Sequence, residues 1–276
     1  MIIESTAKIS IETINDLIAE CRVFDLTIKD EENYPKGKTY DIFVLLSIKR
    51  RFQEFLKGCP DRNPNNPNSE KEIFSYIYTK LAHYATYDEV ARDANQSNAA
   101  FRAYASDYLD GASGIDGVMI GRCGLCSGFA ETLRNLLAEK GIKAKYVTGW
   151  KKNADGSPST HGHAWNQVKL DGEWFNCDIT VDRRFIVEGL VAPNFLKSNH
   201  DFVNYLRYPT NLSTTLEKAT RSLTNNEQSA LINNYHTRVV QELAEQDEKN
   251  KPKKKGFFKS ISEKLKAKKI SQRGDF

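Results

Sequence analysis

Residues 121–150 read GRCGLCSGFAETLRNLLAEKGIKAKYVTGW, and after a polar loop residues 161–182 read HGHAWNQVKLDGEWFNCDITVD. In the first run Phe129, Leu133, Leu136 and Leu137 recur at helical spacing. Lys140-Gly141 supplies a C-terminal stop, so the spacing predicts a helix opening at Cys126 or Ser127. A helix N-terminus carries unpaired backbone N–H groups and the positive end of the dipole, both of which favour negative charge. A thiol placed there ionises more readily, and the thiolate is the reactive form. The same N–H groups are suited to an oxyanion developing on an attacked carbonyl.

The second run carries a hairpin signal, Asp171-Gly172 between aromatic and β-branched stretches. With those two residues as the loop, Leu170 faces Glu173, Val168 faces Phe175 and His163 faces Thr180. Asp178 then lies diagonally from His163 on the same face of the next strand, a separation long side chains bridge. A slip of one residue would put the two on opposite faces. Cysteine, histidine and carboxylate in this order are the parts of an activated thiolate nucleophile.

GLCSGFAETL, GIKAKYVTG and GHAWNQVKLDGEWFNCDIT together resemble the core of the transglutaminase-like superfamily, which includes transglutaminases, peptide N-glycanases and bacterial cysteine-protease-like proteins. The resemblance extends over about residues 69–206, since FLKSNHDF (195–202) is similar to the family's closing segment and Tyr87-Asp88 to the end of its first helix. It implies Cys126 as nucleophile, His163 as base and Asp178 as the group that orients the imidazole. It also implies an α+β, papain-like fold, with the nucleophile helix packed on an antiparallel sheet and further N- and C-terminal helices. The expected reaction is thiol-dependent acyl transfer on protein or peptide amides through an acyl-enzyme, passed to water (protease or deamidase) or to an amine (transglutaminase). Water is favoured, because the short polar loops offer no second tunnel for an amine. The alternative is a non-catalytic protein- or peptide-binding module of the same fold, tethered by a basic tail. No cofactor is implied: no acidic calcium loop and no phosphate-cradling glycine loop occurs.

Other residues have competing readings. Cys123-x-x-Cys126 matches half a zinc site or a dithiol, but His161 and His163 are only two apart and His163 is better used as the base. Cys123 is expected to line the approach to Cys126, open to a regulatory disulfide under oxidation. Trp165 shares the face of His163 and Asp178 and is expected to contact substrate or to pack over the pair. Trp150 and Trp174 read as core or cleft wall, Cys177 as core, and His161 as part of a polar loop Lys151–Gly162 bordering the site. His83, on a helix flank, reads as structural before catalytic. Asp171 is used by the turn, and Asp182 falls beyond the paired region.

The chain has 276 residues, enough for a buried core, and the composition of a globular protein. Five cysteines over this length are not a disulfide framework. MIIESTAKIS lacks the basic-then-apolar order of a signal peptide, which implies a cytoplasmic protein when made, with signal-less secretion still compatible. Four segments are expected. Residues 1–58 form a helical cap, with one helix capped by Ser10 and a second over Thr39 to Leu56; CPDRNPNNPN (59–68) is a linker. Residues 69–210 form the core, opening with a capping box at Ser69–Glu72 and a helix bearing Ile73, Ile77 and Leu81. A helix over 94–110 and a flexible approach at Gly111–Gly117 lead to the nucleophile. Residues 211–248 are a helical segment with Leu231, Ile232, Tyr235, Val239 and Leu243 on one side. Residues 249–276 hold eleven Lys/Arg against Glu263 and Asp275, about +9 in a chain of +4. Its stripe of Phe257, Phe258, Ile261 and Leu265 fits an anionic membrane surface or an acidic partner, or a solvated, disordered tail. No recognised nucleic-acid-binding fold accompanies the charge.

Overall fold

The computed structural model describes residues 42–96, 106–207 and 216–250. The expected helix around Ser10, most of the run 94–105 and the basic tail from 251 lie outside the described residues. Helix α1 (Ile42–Leu56) falls within the run expected over Thr39 to Leu56 and buries Ile48, Phe52 and Phe55 on one stripe. Helix α2 (Ser69–Tyr84) is more deeply placed than its spacing of four implies. Ile73, Phe74, Tyr76, Ile77, Tyr78 and Leu81 are all fully buried, so it is covered on every side. The buried Lys80 is accommodated by a 2.7 Å hydrogen bond to the Tyr76 hydroxyl and by the faces of the Phe55 and Tyr76 rings.

The start of α2 corrects one sequence expectation. Its N-cap is Asn68, no capping-box hydrogen bond forms, and the Ser69 hydroxyl instead accepts from the Asn63 N–H at 2.7 Å. The charge that complements this helix start comes from 100 residues away. Asp171 Oδ1 accepts the Glu70 N–H at 3.1 Å and Oδ2 accepts from Lys71 Nζ at 2.9 Å.

Strand β1 (Thr86–Tyr87) pairs in parallel with β2 (Cys123–Gly124). Between them lie α3 (Glu89–Asn95), capped by the Asp88 carboxylate, then α4 (Ser106–Ser113) and α5 (Ile115–Met119). The glycines of 111–117 therefore do not make a flexible approach. They permit close backbone contact: a Cβ on Gly117 would stand 2.5 Å from the Gly111 carbonyl oxygen, and one on Gly128 would stand 2.7 Å from that of Gly114. The Leu125 N–H donates to Ala112 O at 2.7 Å, which locks the start of α6 (Cys126–Glu139) onto this pair of short helices.

Helix α6 buries Phe129, Leu133, Leu136 and Leu137 and ends at Lys140, with Gly141 at φ +70°, as predicted. It packs on an antiparallel sheet of order β5-β4-β3-β6, made of β3 (Ala144–Lys152), β4 (Pro158–Leu170), β5 (Glu173–Cys177) and β6 (Tyr205–Arg207). The β4–β5 register is the predicted one, Leu170 opposite Glu173 and Val168 opposite Phe175. Asp171 (φ 50°) and Gly172 (φ 90°) are both left-handed, as a two-residue I′ turn requires. The pairing stops earlier than expected, at Asn166–Cys177. Asp178 is not on the strand but is the N-cap of α7 (Ile179–Val187). FLKSNHDF runs beside β5 through a bridge between Asn176 and Lys197. The architecture is an α+β core with an antiparallel sheet. Helix α8 (Asn225–Asn250) carries a buried stripe of Gln228, Ile232 and Val239, and no described helix is long and apolar enough to cross a membrane.

Candidate active site

Cys126 is the first residue of α6, with Leu125 in extended conformation before it, so its thiol stands where the helix's unpaired N–H groups converge. It is partly exposed and lines a cleft of about 300 Å³ together with His161, Gly162, His163 and Ala164 of β4. Tyr87, Arg92 and Gln96 close one side of this cleft, and Tyr146 and Thr148 of β3 form another. His161 thus belongs to a strand that borders the site, the true loop being only residues 153–157.

The imidazole of His163 is almost entirely buried and accepts or donates at both nitrogens. Its Nε2 lies 2.7 Å from Asp178 Oδ2, which leaves Nδ1 for the hydrogen bond with the Cys126 thiol. Asp178 is fully buried and has four donors. Oδ1 takes the N–H groups of Thr180 (3.0 Å) and Val181 (3.4 Å) at the start of α7, while Oδ2 takes His163 and the Tyr205 hydroxyl (2.6 Å). The cap fixes the carboxylate against the start of α7, so leaving the strand does not cost the contact with His163.

These pairings set the charges. For Asp178, burial alone would raise the carboxyl, but the charge and hydrogen bond of His163, then Lys151 and Tyr205, hold it at about 2. For His163, burial works against the charged form, and the charge and hydrogen bond of Asp178 followed by Cys126 overcome it, raising the imidazole to about 9. The Cys126 thiol is raised by burial and lowered more by the hydrogen bond and charge of His163 and by the Ala164 N–H, so it ends below its ordinary value. The arrangement favours thiolate facing imidazolium, backed by a carboxylate.

Trp165 is 2% exposed and is not at the cleft. Of the two roles expected for it, the structure gives packing: its ring stacks near His163 (centroids 6.4 Å, 22°) and meets Phe202 and Tyr205 in the wall behind the imidazole. A substrate contact would need solvent access that the burial denies. Cys123 lies on β2, within 3.5 Å of the Thr86 hydroxyl, and Cys177 is buried. His83 packs edge-on against His236 (centroids 4.8 Å), where burial lowers it to about 4. No group of three His, Cys, Asp or Glu side chains placed to hold a metal occurs among the described residues.

Residues 62–179 match the family model described as the transglutaminase-like superfamily. Over this segment, which is less than half of the chain, the sequence is similar to transglutaminase-like domains. Among solved structures the chain is similar to a TGase at 20% identity and TM-score 0.38, over 61% of this chain and 38% of that one. It is also similar to a putative cysteine protease from Cytophaga hutchinsonii at 16% identity and TM-score 0.33, over 64% and 49%. The chain thus spans less than half the length of each of these structures. No curated protein matches the sequence.

Proposed function

We propose that this protein carries out thiol-dependent acyl transfer on protein or peptide amides, with Cys126 as nucleophile, His163 as general base and acid, and Asp178 as the orienting carboxylate. The observation that supports this most directly is the single imidazole held between a helix-N-terminal thiol and a buried carboxylate 2.7 Å away, at the wall of a cleft. The thiolate attacks the amide carbonyl carbon, and the tetrahedral oxyanion faces the N–H groups at the start of α6. His163 delivers its proton to the departing amine nitrogen, leaving a thioester on Cys126. Water, deprotonated by the now neutral His163, adds to the thioester carbonyl and releases the acid and the thiol. An amine acceptor would follow the same course and yield a new amide.

Asp178 keeps the ring in one orientation and stabilises the imidazolium. The described loop between β3 and β4, residues 153–157, is short and polar, and hydrolysis is the outcome we favour. The test is iodoacetamide alkylation of Cys126 against pH, with peptide mapping, in the wild type and in His163→Ala. Cys126 is expected to react well below the pH at which a free thiol ionises, and to lose that advantage in the variant. Reaction of Cys126 no faster than Cys123 would remove the nucleophile and leave a binding module of the same fold.

A further inference from the structure

The described residues place one group beside the proposed triad that lies outside both the sequence reading and the family-model match, which ends at residue 179. Tyr205 is the first residue of β6, the strand that adds to the far edge of the sheet through Lys151, Trp150 and Gly149. Its ring is fixed on three sides. It stacks on Phe202 (centroids 4.0 Å, 14°), and it meets Trp165 at 5.2 Å and His163 at 5.9 Å. Its hydroxyl donates to Asp178 Oδ2 at 2.6 Å, the same oxygen that His163 Nε2 occupies at 2.7 Å.

We propose that Tyr205 is a positioning residue that shares Oδ2 of Asp178 with His163, so that the carboxylate orients the imidazole without holding its proton too tightly. The reasoning is electrostatic. In a dry site a carboxylate with one donor on an oxygen concentrates its charge on that donor, whereas a second donor draws part of it away. Oδ1 is already committed to the start of α7. Tyr205 is thus the group that moderates the oxygen facing His163. A base that must return its proton to a leaving amine works best when that proton is not overbound. The phenol itself stays neutral: burial, then the charge of Asp178, drive its ionisation far upward. The inference rests on the triad reading in assigning a reaction to His163, but the effect on His163 is measurable without it.

The experiment is titration of His163 by proton–nitrogen NMR in the full chain, in wild type, Tyr205→Phe and a protein with 3-fluorotyrosine at 205. Phe keeps the stacking and removes the donor. The wild-type midpoint should lie near 9. In Tyr205→Phe it is expected to rise by roughly one pH unit, the order of one hydrogen bond to a charged group. The fluorinated phenol is a stronger donor and should lower the midpoint. An unchanged midpoint in Tyr205→Phe would mean that Tyr205 only packs against the ring, and would overturn the proposal; so would a fall. If the Phe variant does not fold, the fluorotyrosine protein decides alone, and an unmoved or raised midpoint there overturns it. An unreactive Cys126 in the alkylation assay would remove the enzyme reading and leave the His163 titration to stand by itself.

Discussion

Two fully buried carboxylates lie one turn apart at the start of α7, and they reach opposite charge states. Asp178 has four donors, one of them a cation, and stays ionised down to about 2. Asp182 accepts from the Asn194 N–H and from the Tyr78 hydroxyl, each at 2.8 Å, and both donors are neutral. For Asp182 burial dominates; the Asn194 N–H opposes it, the charge of Asp178 adds to it, and the carboxyl is raised to about 8. Depth does not decide ionisation here, because both groups are equally covered. What decides it is a compensating cation, and the charge granted to the first carboxylate makes ionising the second harder. Asp178 is built to act on an imidazole, whereas Asp182 ties α7 to α2 and to the chain at Asn194.

The largest test of this contrast is Asp178→Asn, which keeps a side chain able to cap α7 but removes the charge. Without that carboxylate only Cys126 still supports the imidazolium against the burial that disfavours it, and the His163 midpoint should fall well below about 9. Alkylation of Cys126 at neutral pH should then drop at least tenfold, since each unit of upward shift in the thiol removes about a factor of ten of thiolate. NMR titration and timed alkylation read the two effects. A His163 midpoint still near 9 would show that some other group supplies the charge.

A smaller effect is expected from Asp182→Asn, and its sign depends on pH. The folded Asp182 sits well above its unfolded value, so its contribution to stability is complete below about 4 and is lost as pH rises toward about 8. Asn cannot ionise and lacks this loss, but it has one carbonyl oxygen for two donors, a cost of about 1–3 kcal/mol for the donor left unpaired. Urea melts should therefore find the variant less stable than wild type at pH 5, with the gap closing or reversing by pH 8.5. Alkylation of Cys126 should stay within about threefold. A gap that widens with pH would mean that Asp182 is charged in the native protein. His163 adds its own slope, stabilising below about 6.5 and losing that contribution through about 9, in both proteins alike.

The same two carboxylates show what the chain discloses of itself. The Asp171-Gly172 turn and the alternation around it specify the β4–β5 register, and the periodicity of Phe129 to Leu137 specifies α6; both signals are local and both hold in the fold. The exit of the chain from β5 at Cys177 was not legible. Asp-Ile-Thr-Val reads as β-branched strand, and only tertiary packing turns it into a capped helix. The sequence places Asp182 only beyond the paired region, because its partners, Tyr78 and Asn194, are 104 and 12 residues away. Tyr205 was invisible for the same reason: a three-residue edge strand has too short a pattern to place an aromatic against a carboxylate 27 residues earlier. The glycines at 111–117 misled in the other direction, since a residue without Cβ serves close packing as readily as flexibility.

The wall behind His163 offers the smallest expected effect. Trp165 is buried in contact with Phe202, Tyr205 and the imidazole, yet its Nε1 has no hydrogen-bond partner among the described residues. Trp165→Phe therefore discards a buried donor that is already unpaired, which offsets part of the lost contact area. The net change should be a loss of about 1 kcal/mol or less in urea melts, well under the cost of truncating a buried aromatic to Ala. If the charge on His163 comes from Asp178 and not from the aromatic ring beside it, its midpoint should move by no more than a few tenths of a unit. A fall approaching that of Asp178→Asn would place the indole face, not the carboxylate, as the main support of the imidazolium, and the contrast between the two aspartates would lose its functional half.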